Sequence, residues 1–138
     1  MDVKVGEELP TYERMSSFQH WNRYAAVNHE FVDIHMDDRA GKEAGYSGAF
    51  GMGNLQWAYL HCMLREWMGE AGRIVSMKVQ FRSPNLNDLR TIAHGRVTAV
   101  REEAGETLVD LEVWTETEEG AAMAPGTATV ALSGSEPA

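Results

Sequence analysis

Between His29 and His35 the chain runs His-Glu-Phe-Val-Asp-Ile-His, which puts a carboxylate, Glu30, and an imidazole, His35, on one short loop. Further along, Gly53 stands at the head of a long apolar segment. A loop carboxylate hydrogen-bonded to water can act as its base, and partial burial raises its pKa toward a useful range. A histidine near neutrality gives or takes the partner proton. Glycine at a helix start lets a carbonyl approach free N–H groups, whose partial positive charge stabilises an enolate oxygen. Base, acid and oxyanion site together are what adding water across an activated double bond requires.

Each of these elements is common by itself. By residue type alone, His35 is a histidine satisfied by backbone and Glu30 a solvated loop charge. Their order and spacing carry the signal. The crowding of His29, Glu30, Asp33, His35, Asp37 and Asp38 also raises a metal site, but the spacing matches neither a helical His-x-x-x-His face nor any ligand comb. No metal and no cofactor are expected.

The whole chain narrows the classes. At 138 residues it is expected to be a single domain over 1–138, large enough for a real core and small enough that oligomerisation helps. Charge interrupts every apolar stretch, so no membrane span is expected. The start lacks the basic-then-apolar pattern of a signal peptide. Cys62 is the one cysteine, which implies no disulfide framework and a cytoplasmic setting; it is expected to be a small buried hydrophobe. A net charge of −9 with no basic stripe argues against nucleic acid. Lys78, Arg82, Arg90 and Arg96 fall in the one region that is not acidic; a phosphate patch and scattered solubilising charges are equally good readings of them.

The elements that must position the loop follow from periodicity. Residues 5–10 read as an entry loop and 11–15 as a short strand. Ser16 or Ser17 can cap a helix in which Phe18, Trp21 and Ala25 recur, ending near Asn28. A weakly helical stretch over 37–44 precedes a turn punctuated by Gly45, Gly48, Gly51 and Gly53. From Gly53, Leu55, Ala58, Tyr59, Cys62, Met63 and Trp67 recur at helical spacing, with Trp57, Leu60 and Leu64 on the flank, and Gly69 and Gly72 stop the run. A helix apolar around most of its girth must be wrapped. Strands are then expected over 74–82, where Val75, Met77, Val79 and Phe81 alternate with polar residues, and over 89–101 and 107–117. A charged hairpin turn falls at 102–106, a connection at 118–126, a last strand at 127–132 and a frayed tail beyond. One apolar helix followed by consecutive antiparallel strands predicts an α+β hot-dog fold, a curled antiparallel sheet around a long central helix. Its open edges favour pairing with a second subunit. His20 and His94 are expected at the surface, and His61 as a polar spot lining a cavity or subunit contact.

The loop and the helix start resemble those of the MaoC-type enoyl-CoA hydratases. That family carries S-G-D-x-N-P-I-H, with aspartate and histidine as the catalytic pair, and a later H-G-M-L opening the central helix. Setting His35 on the family histidine puts Glu30 on the aspartate and Gly53 on the helix-opening glycine without a gap. Phe81-Arg82-Ser83-Pro84 and Asp88 continue the likeness. The departures are Glu30 for aspartate, Val32-Asp33 for asparagine-proline, Met52 for the histidine before the glycine, and His29 for a small glycine. The form acid-Phe-x-Asp-Ile-His-x-Asp is also similar to a subtype acting on steroid side chains, whose catalytic chain pairs with a second MaoC-like chain.

The resemblance implies hydration of trans-2-enoyl-CoA to 3-hydroxyacyl-CoA, or the reverse. Glu30, His35 and Gly53 are then the catalytic residues. Asp33, Gly51, Met52, Asn54, Trp57 and Arg82 are the expected substrate-binding residues, with Asp33 able to orient His35. The expected partners are an acyl-CoA thioester and either a second copy or a second MaoC-like chain. Two alternatives remain at this stage: a non-catalytic partner subunit, and a hot-dog acyl-CoA thioesterase.

Overall fold

Alternation decides the sheet, and a glycine at each end bounds the helix inside it. The computed structural model describes residues 2–16, 21, 23, 26–27, 37–45, 53–83 and 89–133. In chain order they form β1 (Tyr12–Ser16), α1 (Asp38–Glu43), α2 (Gly53–Met68), a 3-10 turn at Gly69–Ala71, β2 (Gly72–Val79), β3 (Leu89–Glu103), β4 (Glu106–Thr117) and β5 (Ala122–Ser133). The five strands make one antiparallel sheet in the order β1-β3-β4-β5-β2. It curls around α2 as expected for the hot-dog arrangement. Trp21, Arg23, Ala26 and Val27 are helical, where the early helix was expected, and Trp21 is fully buried.

The period of two holds best in β4, where Val109, Leu111, Val113 and Thr115 are buried facing α2. Their neighbours on β5, Val130, Ala128, Gly126 and Ala124, share that face by register. The buried ridge of α2 is Leu60, Met63, Leu64 and Met68. Leu60 and Leu64 therefore sit at the centre rather than on the flank, and Cys62 is only half-buried. Burying a leucine of this kind is worth about 2 kcal/mol in transfer free energy. Gly69 ends the helix at φ 59°, a left-handed conformation that glycine adopts at little cost.

Two expectations shift. The alternation expected over 74–82 breaks at a bulge: Ile74 pairs with Val130 and Ser76 with Thr129, leaving Val75 as an extra residue. One inserted residue reverses parity, so Ile74 on one side of the bulge and Met77 and Val79 on the other all pack on the core while Val75 lies 48% exposed; Phe81, 49% exposed, lies beyond the end of the strand. The connection expected over 118–126 is shorter, because β5 already begins at Ala122. Pro125 is tolerated inside the sheet because its carbonyl, turned toward β2, accepts Gln80 N–H at 2.9 Å just past the end of that strand; the N–H that proline lacks would face the same way. The entry loop is a loop as expected and lies along β3 beyond β1: Gly6 and Leu9 N–H reach Val97 and Gly95 carbonyls at 2.8 and 2.9 Å.

Candidate active site at the start of the central helix

Gly53 is the first residue of α2, where the spacing placed it. N–H groups in a helix's first turn have no acceptor within the helix, so they are free to polarise a carbonyl. Asn54 lies in the same turn, and Trp57 follows one turn on, half-buried and tilted against His61 with ring centroids 5.3 Å apart. Glu30, Asp33, His35, Gly51 and Met52 lie outside the described residues. Asp37, from the crowded acidic stretch, is occupied in capping α1, its carboxylate accepting Arg39 N–H at 3.0 Å.

The residue that fixes the first turn of α2 is Gln56, which the sequence reading passed over. It is 1% exposed. Its carbonyl oxygen accepts the Thr115 hydroxyl at 2.6 Å, and its amide donates to the Ser83 carbonyl at 3.2 Å. Thr115 is itself fully buried on β4, so one side chain ties helix start, sheet centre and the segment after β2 together. Ser83 and Arg82 N–H both donate to Met123 O at 3.0 Å, which anchors that segment on β5. The sequence signal for this role is weak, because Gln56 is one of several polar residues in the helix, with Asn54, His61, Arg65 and Glu66.

Arg82, expected near substrate, is exposed past the end of β2. Its guanidinium donates to Gln80 Oε1 from Nε at 3.1 Å and from Nη2 at 2.7 Å. It is one residue from Ser83, hence close in sequence to the anchor of the helix start.

The histidines divide. His61 Nε2 is buried with no hydrogen-bond partner among the described residues. Burial first, and the nearby Arg65 charge second, hold its pKa below the usual histidine value, which favours the neutral ring. His94 is half-buried rather than at the surface. Its ring stacks on Trp114 at 5.2 Å and 8°, and its Nε2 lies 3.2 Å from Glu116 Oε2 without hydrogen-bond alignment. Trp114 N–H donates to Glu116 Oε1 at 2.7 Å. His94 and Trp114 face each other across β3 and β4, so this is a cross-strand pair on the outer face. Tyr59, buried beside Tyr12, has its pKa pushed up to about 12, by burial first.

By sequence, neither a family model nor a curated protein matches this chain. Its structure matches many solved ones. An (R)-hydratase from A. caviae involved in PHA biosynthesis aligns over 94% of this chain and 97% of its own, with a TM-score of 0.85 and 21% identity. The chain has the hot-dog fold of the MaoC-like hydratases and dehydratases. A chain of the ChsH1–ChsH2 complex from Mycobacterium tuberculosis aligns over 96% of this chain and 99% of its own, with a TM-score of 0.83 and 21% identity. A MaoC-like dehydratase from Rhodospirillum rubrum aligns over 94% and 92%, at 0.81 and 15% identity. The MaoC-like fold is thus shared along almost the full length of each. Among the described residues, no helix is long and apolar enough to cross a membrane.

Proposed function

We propose that this chain hydrates trans-2-enoyl-CoA thioesters to 3-hydroxyacyl-CoA, or catalyses the reverse dehydration. One observation carries the reading: the glycine that motif spacing set on the helix start does begin the buried helix of a MaoC-like fold. In this mechanism the thioester carbonyl accepts the Gly53 N–H, which withdraws charge from the β-carbon. Glu30 and His35 hold one water between them. Glu30 takes a proton from it as the oxygen bonds to the β-carbon, charge collects on the carbonyl oxygen as an enolate, and His35 protonates the α-carbon. The water's OH and one proton end on adjacent carbons, and the proton held by Glu30 returns to the pair. No redox partner is involved. Asp33 orients His35 through its ring N–H, and Trp57 borders the acyl group.

A second reading draws on the matched complexes, which include ChsH1–ChsH2 and a HadBC dehydratase complex from M. tuberculosis. In it the active unit also needs a second MaoC-like chain. A panel of enoyl-CoA esters of increasing size, assayed for loss of the conjugated thioester absorbance, tests both. Turnover by the purified chain that is abolished by Glu30→Ala supports the first. Activity that appears only on adding a co-purifying homologue supports the second. Inactivity toward the whole panel in both arrangements contradicts both readings.

A further inference from the structure

Apolar packing holds a helix against a sheet without fixing its slide or rotation, because the attraction has no direction. Hydrogen bonds fix both, through distance and angle. The buried ridge of Leu60, Met63, Leu64 and Met68 gives α2 contacts of the first kind. Gln56 gives contacts of the second kind, and gives them one turn from Gly53, about 4.5 Å along the helix axis.

A bulge on β5 sets the partners of Gln56. Thr115 pairs with Ala93 on β3 and with Ala124 on β5, in the middle of the sheet. The next pair along is Glu116 with Ala122, so Met123 is an extra residue on β5. An added residue turns part of the backbone out of the regular ladder. Met123 O accepts both Arg82 and Ser83 N–H at 3.0 Å, which draws the segment after β2 to this point. The Ser83 carbonyl then lies 3.2 Å from the Gln56 amide nitrogen, while the Thr115 hydroxyl lies 2.6 Å from the Gln56 carbonyl oxygen. Leu55 and Gln56 are both buried, which keeps water from competing for the Thr115 bond. One side-chain amide held at both ends thus locks the first turn of α2 in place.

We propose that Gln56, with Thr115 behind it, is a positioning residue for the Gly53 amide. The proposal rests on the hydratase reading above, in which that N–H meets the charge developing on the thioester oxygen. Such a donor acts on the enolate more strongly than on the ground-state carbonyl, so its aim is felt in kcat before KM. Removing a whole oxyanion donor costs about 10²–10³ in kcat. Letting one drift costs less, about 10–10². Gln56 is 1% exposed, so it acts through the turn it holds and not by touching substrate.

The test separates aim from stability, in variants that circular dichroism shows to be folded. Gln56→Leu is expected to lower kcat for crotonyl-CoA about 10–10²-fold with KM within about threefold. Gln56→Leu/Thr115→Val recovers stability, because no hydroxyl is stranded, yet leaves kcat low. Thr115→Ser keeps the donor and with it most of the native kcat. Amide nitrogen relaxation in the intact chain reads Gly53 directly, without turnover. Its order parameter is expected to fall from about 0.85 toward about 0.6 in the double variant, while the amides of β4 keep theirs. Native kcat in Gln56→Leu, or kcat that recovers together with stability in the double variant, overturns the proposal. A KM effect without a kcat effect does the same, as does an unchanged Gly53 amide in the double variant. A loosened Gly53 amide in a chain inert toward every enoyl-CoA upholds the positioning role and removes the hydratase reading.

Discussion

Gln56→Leu removes the link between helix start and sheet while keeping most of the side-chain volume. Thr115 is fully buried, so its hydroxyl loses a 2.6 Å bond with no water to replace it, at a cost of about 1–3 kcal/mol. The Ser83 carbonyl loses a 3.2 Å bond, but Ser83 is exposed and its oxygen rehydrates, which limits that part to about 0.5–1 kcal/mol. Burying leucine in place of a desolvated amide offsets some of this. The net expectation is a loss of about 2–3 kcal/mol, or a fall of several degrees in Tm for a domain of this size. Thr115→Val in the Gln56→Leu background removes the stranded hydroxyl and restores about 1–2 kcal/mol, so the double-mutant cycle shows coupling of that size. Urea unfolding of the four proteins at one concentration measures it. A single-variant cost under about 0.5 kcal/mol, or a coupling near zero, refutes the argument that Gln56 pins the first turn of α2.

Three further outcomes follow from the geometry. The β3–β4 hairpin turns through Ala104 at φ 51° and Gly105 at φ 82°, so Ala104→Asn, which tolerates the left-handed region, stabilises by about 0.5–1 kcal/mol in thermal unfolding; destabilisation contradicts this account of the turn. A Cβ on Gly126 strikes the Lys78 carbonyl, a backbone atom that cannot swing aside, so Gly126→Ala parts β5 from β2 and costs more than about 2 kcal/mol; amide exchange confined to β2 reports it, and unchanged protection there contradicts it. Tyr59 keeps its proton to about 12 when folded, whereas an unfolded tyrosine ionises near ~10. Its contribution to stability is therefore intact below the lower value and lost as pH rises through the upper, and Tyr59→Phe flattens the alkaline limb of stability against pH. An unaltered limb rules this out.

What could be read from sequence depended on range. β4 was legible because its alternation is a local consequence of one covered face. Gly53 was legible because apolar spacing begins there. The Val75 bulge was not, since whether an added residue is squeezed out of register is decided by the partner strand β5 rather than by β2 itself. The early start of β5 was hidden by Ala, Gly and Pro, whose local preferences favour a connection while cross-strand pairing with β4 overrides them. Gln56 escaped notice because Thr115 and Ser83 lie far off in the chain. His94, expected at the surface, is covered by Trp114 on the adjoining strand, a contact between residues twenty positions apart that no local pattern reveals. The four clustered cations gave two equal readings because only three-dimensional pairing separates neutralised arginines from unmatched ones.

The most direct measurement is kcat for crotonyl-CoA hydration in Glu30→Gln, His35→Gln and the double variant. If both side chains serve one water beside the Gly53 amide, each single change lowers kcat by about 10²–10⁴-fold, and the double variant is little worse than the poorer single one, because a broken unit cannot be broken twice. Losses that multiply, or a single variant with native turnover, contradict a shared water and with it the proposed chemistry.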